Sequence, residues 1–109
     1  MYSLAKRENA DWSVGVARQG WSWASAENAL HRRPAWARQA ARLLMEAYPS
    51  QPDGYDLLAA ASAAEGRFDQ AVKFAEQALS LARQGGDLSA RIRERRDRFK
   101  RNEVWIGPP

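Results

Sequence analysis

Cysteine is missing from all 109 residues, and with it go disulfides, thiolate zinc sites and cysteine nucleophiles. Threonine is missing too, and valine and isoleucine number only four and two. A chain so poor in β-branched residues has little from which to build a sheet. Histidine occurs once, as His31. No stretch approaches the ~20 apolar residues of a membrane-spanning helix. The opening segment, MYSLAKRENADW, has neither the apolar run nor the small-residue cleavage site of a signal peptide. These absences predict a cytoplasmic protein that does not enter a membrane, sized for one domain with a modest core.

What is present favours helices. Ala, Leu, Arg, Glu and Gln dominate, all good helix formers. The net charge is +4, unevenly spread: residues 1–86 carry +1 and residues 87–109 carry +3. The basic excess therefore belongs to the C-terminal part and not to the whole domain.

Proline, glycine and aspartate divide the chain. Residues 49–54, PSQPDG, must form a loop; Gly66 interrupts an alanine-rich run; residues 84–87, QGGD, make a further break with Asp87 as a candidate N-cap. His31-Arg32-Arg33 reads as a turn before Pro34 at the first position of a new helix. The breaks predict helices near 19–31, 34–48, 53–65, 68–84 and 87–101. Phe68, Ala71, Val72, Ala75, Ala78, Leu79 and Ala82 follow the 3.6-residue period, as do Ala37, Ala40, Ala41, Leu44, Ala47 and Tyr48. Short connections between such helices force antiparallel neighbours. In residues 1–18, Leu4, Ala5, Glu8, Trp12 and Val16 suggest a frayed helix, while Gly15 and Gly20 suggest breaks.

Sliding the chain by 34 residues places Trp21 on Tyr55, Ala24 on Leu58, Ser25 on Ala59 and Asn28 on Ser62. The same offset places Ala37 on Ala71, Ala41 on Ala75, Leu44 on Ala78 and Pro34 on Phe68. Aromatic meets aromatic and small meets small, without a gap. With Tyr55, Leu58-Ala59, Ser62, the turn Gly66-Arg67-Phe68-Asp69-Gln70-Ala71, Ala75 and Ala78-Leu79, the later copy resembles the tetratricopeptide repeat. The earlier copy keeps Trp21, Ala24, Ala37, Ala41 and Pro49, but has Arg32 where the turn glycine belongs. The resemblance implies an all-α fold of antiparallel hairpins stacked as a short superhelix: repeats at about 19–52 and 53–86, a closing helix at 87–101 and a tail at 102–109. Small residues at Ala59, Ala71 and Ala78 would let the helix backbones approach closely.

Chemistry-bearing residues are sparse. Acid–base or nucleophilic catalysis needs a titratable group tuned by a neighbour, and His31 sits in an arginine-flanked turn where a solvated role is the simpler account. Asp53 and Asp56 stand at a helix start, where capping and helix-dipole complementarity explain them. No phosphate-binding glycine loop, metal-ligand cluster or nucleophile motif is present. The expectation is a protein that is not an enzyme and holds no cofactor or metal.

Two further signals concern partners. In residues 88–101, LSARIRERRDRFKR, the apolar Leu88, Ile92 and Phe99 share a narrow stripe while the charges spread around the rest. A solvated closing helix is the favoured account; a basic patch of Arg91, Arg95, Arg96 and Arg98 for nucleic acid or an acidic partner ranks second. Five tryptophans are present, and Trp23 and Trp36 fall off the buried stripes, where one or both would serve as exposed interface anchors or else be covered by the N-terminal segment. In tetratricopeptide arrays the first helix of each pair lines a concave groove, which points here to Gln19, Ser22, Ala26, Asp53, Asp56 and Ala60. Chaperone-binding members hold a carboxylate there with lysines and asparagines; Ser22, Ala26, Asp56 and Ala60 replace them, so that clamp is absent. The implied function is a protein- or peptide-binding scaffold. Because two repeats fall short of the ~3 that such arrays need, a second copy of the chain or a partner protein is expected to cover the open face.

Overall fold

The structure, a computed structural model, describes residues 11–26 and 32–106. Among these residues five α-helices follow one another: α1 (Asp11–Ser25), α2 (Pro34–Ala47), α3 (Asp53–Ala64), α4 (Phe68–Leu81) and α5 (Asp87–Lys100). There is no strand among the described residues. Four of the five helices start where the punctuation places them, α2 with Pro34 in its first turn. Asp87 does not cap α5: Gly86 holds the N-cap position and Asp87 lies in the first turn. Asp53 likewise opens α3 without a side-chain cap, behind Pro52.

The first helix departs most from expectation. A start near 19 does not hold, because one continuous helix runs from Asp11 through both Gly15 and Gly20. The expected boundary between residues 18 and 19 therefore falls inside α1, and the predicted extension of this helix to 31 reaches residues outside those described. Gly20 is a packing position and not a breaker. A Cβ there would lie 2.5 Å from Leu57 Cδ2 and 3.0 Å from the Ala40 methyl, so its absence lets α1 press onto α2 and α3. Nothing lies within 4 Å of the corresponding point at Gly15.

Neighbouring helices pack closely in chain order, and α1 also lies against α3. Small residues make this possible. Ala37, Ala41, Ala59, Ala61, Ala63, Ala71 and Ala78 are fully buried, with Leu57, Ile92 and Phe99 filling the space between them. Fully burying a side chain such as Leu57 is worth roughly 1.5–3 kcal/mol. The α3 start approaches α2 just as tightly. A Cβ on Gly54 would meet the Ala41 carbonyl oxygen and the Met45 nitrogen at 3.0 Å.

The turns follow from residues that tolerate left-handed backbone. After α3, Gly66 has φ +80°, and the N–H groups of Gly66 and Arg67 donate to the carbonyls of Ala63 and Ser62 at 2.9 Å. These two bonds satisfy carbonyls that the helix end leaves open. Asn102 repeats the device after α5 with φ 59°: its N–H donates to Phe99 and that of Glu103 donates to Arg98, both at 3.0 Å. The chain then runs back and brings Trp105 against α5.

Candidate functional site

A groove of about 900 Å³ opens along α1, α3 and α5. The α1 side contributes Val14, Ala17, Arg18, Trp21 and Ser22; Leu44 comes from α2 and Tyr48 from just after it; Asp53, Gly54 and Asp56 come from α3; Leu88, Arg91 and Arg95 come from α5. Each element presents these residues through helical spacing. Arg18, Trp21 and Ser22 are three and four apart, as are Leu88, Arg91 and Arg95.

An ion pair lies at the junction of α3 and α5. Arg95 Nε donates to Asp56 Oδ1 at 3.0 Å and Nη2 donates to Oδ2 at 2.5 Å, with side-chain exposures of 0% and 5%. The guanidinium is centred 4.8 Å from the Trp21 ring and 5.3 Å from the Trp105 ring. Two indole faces and a bidentate carboxylate suit a planar cation far better than an ammonium. One nitrogen, Arg95 Nη1, is buried without a hydrogen-bond partner. Burial pushes the Asp56 carboxyl up to about 6, against the pull of the Arg95 charge and its hydrogen bonds.

This pair alters two expectations. Asp56 lies on the groove wall, but its charge is met by Arg95, so Asp53 and Asp56 do not form a free acidic pair. Arg95 is at the same time removed from any surface basic patch. Of the other arginines of that patch, Arg91 and Arg98 are seven residues apart and share a helix face, Arg91 exposed at the groove and Arg98 5.1 Å from the Trp105 ring, whereas Arg96 lies off that face and reaches Asp97 at 3.3 Å. The signal for Arg95 was its register, because it completes the stripe of Ile92 and Phe99 at helical spacing.

Ser22 and Ala26 line the groove as the repeat register implies, whereas Ala60 is only 2% exposed and offers no surface to a partner. Gln19, Trp23 and Trp36 belong to a second, smaller groove of about 620 Å³ between α1 and α2, with Trp12, Val16 and Leu43. There Trp23 and Trp36 meet edge to face with centroids 5.4 Å apart. Trp23 is half-buried by this contact and Trp36 remains 52% exposed. Trp12 stacks on Tyr48 at 6.2 Å between ring centroids.

No cluster of three or more metal-ligating His, Asp or Glu side chains occurs among the described residues. His31 lies outside them. No described helix is long and apolar enough to cross a membrane. No family model, curated protein or solved structure matches this chain.

Proposed function

We propose that this chain is a tetratricopeptide-like, non-enzymatic module that holds a segment of another protein. The single observation carrying this reading is that α1, α3 and α5, the alternate helices of the array, all contribute to one open groove. A partner laid across them would contact every hairpin at once. The helix starts support the repeat: Pro34 and Phe68, and likewise Asp53 and Asp87, are each 34 residues apart. Ala37, Ala41 and Leu44 and their offset counterparts Ala71, Ala75 and Ala78 are all buried. Nucleic-acid binding through α5 is less well supported, because Arg95 is consumed internally and Arg96 lies off the helix face that Arg91 and Arg98 share.

The reading is tested by selecting a displayed random-peptide library on the immobilised chain and on a Ser22→Trp variant. Ser22 is exposed on the groove wall, so an indole there should occlude the groove without disturbing the core. Peptides that bind the parent chain and lose binding to the variant are expected. Failure to enrich any peptide, or equal binding to both proteins, would overturn the assignment.

A further inference from the structure

The charges along the groove are unequal, and their state follows from the packing. Arg18 and Arg91 are exposed on the α1 and α5 sides, whereas Asp53 is the only exposed carboxylate among the described groove residues. Asp56 does not add to Asp53, because Arg95 meets it through two hydrogen bonds. Among the described residues, the free charge facing a ligand is therefore two cations against one anion. Arg95, itself a groove residue, also keeps Nη1 buried without an acceptor. With the Arg95 side chain at 0% exposure, that nitrogen is out of a ligand's reach, so Arg95 adds nothing to the charge a ligand meets. The same lining includes the apolar Val14 and Ala17 on the helix of Arg18 and Leu88 on that of Arg91.

We propose that the groove takes a linear acidic peptide segment, its carboxylates set between Arg18 and Arg91 and its aliphatic side chains against Val14, Ala17 and Leu88. This rests on the peptide-binding reading above and adds the chemistry of the partner. Charge complementarity across the groove supplies the selection: a basic segment would meet two guanidiniums, while an acidic one would meet only Asp53. The aliphatic wall favours a peptide over nucleic acid. Strong phosphate binding draws on several cations at once, and Arg96 and Arg98 are engaged with Asp97 and Trp105.

The test is the composition of the peptide pool selected from a random library by the parent chain and by an Arg18→Glu/Arg91→Glu variant. Both side chains are exposed, and matching melting curves would show that the variant remains folded. The parent should enrich Asp and Glu beside Leu, Ile or Val, and the reversed variant should enrich Lys and Arg. Binding of the best acidic peptide, measured by fluorescence polarisation, should weaken about tenfold for each reversal and strengthen with Asp53→Asn. A neutral or basic pool, or the same pool from both proteins, overturns this proposal while leaving the peptide-binding reading intact. No enrichment from either protein overturns both. A labelled single-stranded oligonucleotide that binds with the same Arg91 dependence, where peptides do not, replaces the acidic peptide with nucleic acid. Should the double variant unfold, the Asp53→Asn arm alone decides, since an unchanged affinity for the acidic peptide refutes the charge argument.

Discussion

Arg95 and Asp56 face each other across 39 residues of sequence as a bidentate ion pair closed off from water. Burying two charges carries a desolvation cost that their attraction only partly offsets, so the pair is better understood through what its loss leaves behind. Asp56→Leu strands a guanidinium that cannot release its proton, and should cost about 3–5 kcal/mol. Arg95→Met strands a carboxyl that can become neutral, and should cost less. The Asp56→Leu/Arg95→Met double variant removes both charges and should be more stable than Asp56→Leu alone. Urea unfolding of the four proteins checks this order, and additive losses would contradict it.

Asp56 also sets a pH dependence. Its carboxyl holds a proton up to about 6 in the folded chain, against an ordinary value of 3.8, chiefly because burial disfavours the charged form. Below 3.8 the group is neutral in both states; between 3.8 and 6 the unfolded chain ionises while the folded chain resists. The folded state binds the extra proton, so this group's contribution to stability falls as pH rises through the window and is level above it. The full change amounts to about 3 kcal/mol. Unfolding measured across that range should show this downward trend in the parent chain relative to Asp56→Asn, which has no proton to bind. A carboxyl-carbon NMR titration of Asp56 with a midpoint in the ordinary aspartate range would contradict it.

Gly15 and Gly20 should respond to alanine with opposite signs, although both lie inside α1. At Gly15 the added methyl meets nothing within 4 Å, and the gain in helix propensity should stabilise by roughly 0.5–1 kcal/mol. At Gly20 it would run into Leu57, which is fully buried and has little room to yield. Overpacking of this kind costs about 1–3 kcal/mol, enough to outweigh the propensity gain. Thermal melts of the two variants should move in opposite directions.

The contrast between these glycines shows which parts of the fold were legible. Pro34, Pro49, Pro52, Gly66 and the Gly85-Gly86 break act locally, and the helices start where they indicate, although Asp53 and Gly54, expected in the loop, lie in the first turn of α3. The alanine faces of α2 and α4 were equally readable, because burial there repeats every three or four residues. Gly20 was not, since a glycine that breaks a helix and one that admits a neighbour look the same without the neighbour. The groove was half legible. Repeat register pointed to Ser22 and Ala26, but it also nominated Ala60, which the core encloses. Arg95 was assigned to a solvated face because what makes its burial tolerable, Asp56 with Trp21 and Trp105, comes from distant parts of the sequence.

The return of the chain after α5 makes Trp105 a second cover for Arg95, and its effect should be separable from that of the ion pair. Trp105 lies 5.3 Å from the Arg95 guanidinium and 5.1 Å from that of Arg98, and it is brought there by the left-handed turn at Asn102. Trp105→Ala removes both cation–π contacts and should cost about 0.5–2 kcal/mol. Asn102→Val attacks the same arrangement from the backbone, because a β-branched residue tolerates φ 59° poorly; its cost should be about 1–3 kcal/mol. Asn102→Gly keeps the turn available and should leave stability nearly unchanged. If the turn is what positions the indole, adding Trp105→Ala to Asn102→Val should cost less than the sum of the two separate losses. Strict additivity in urea unfolding would show that Trp105 reaches Arg95 independently of the turn.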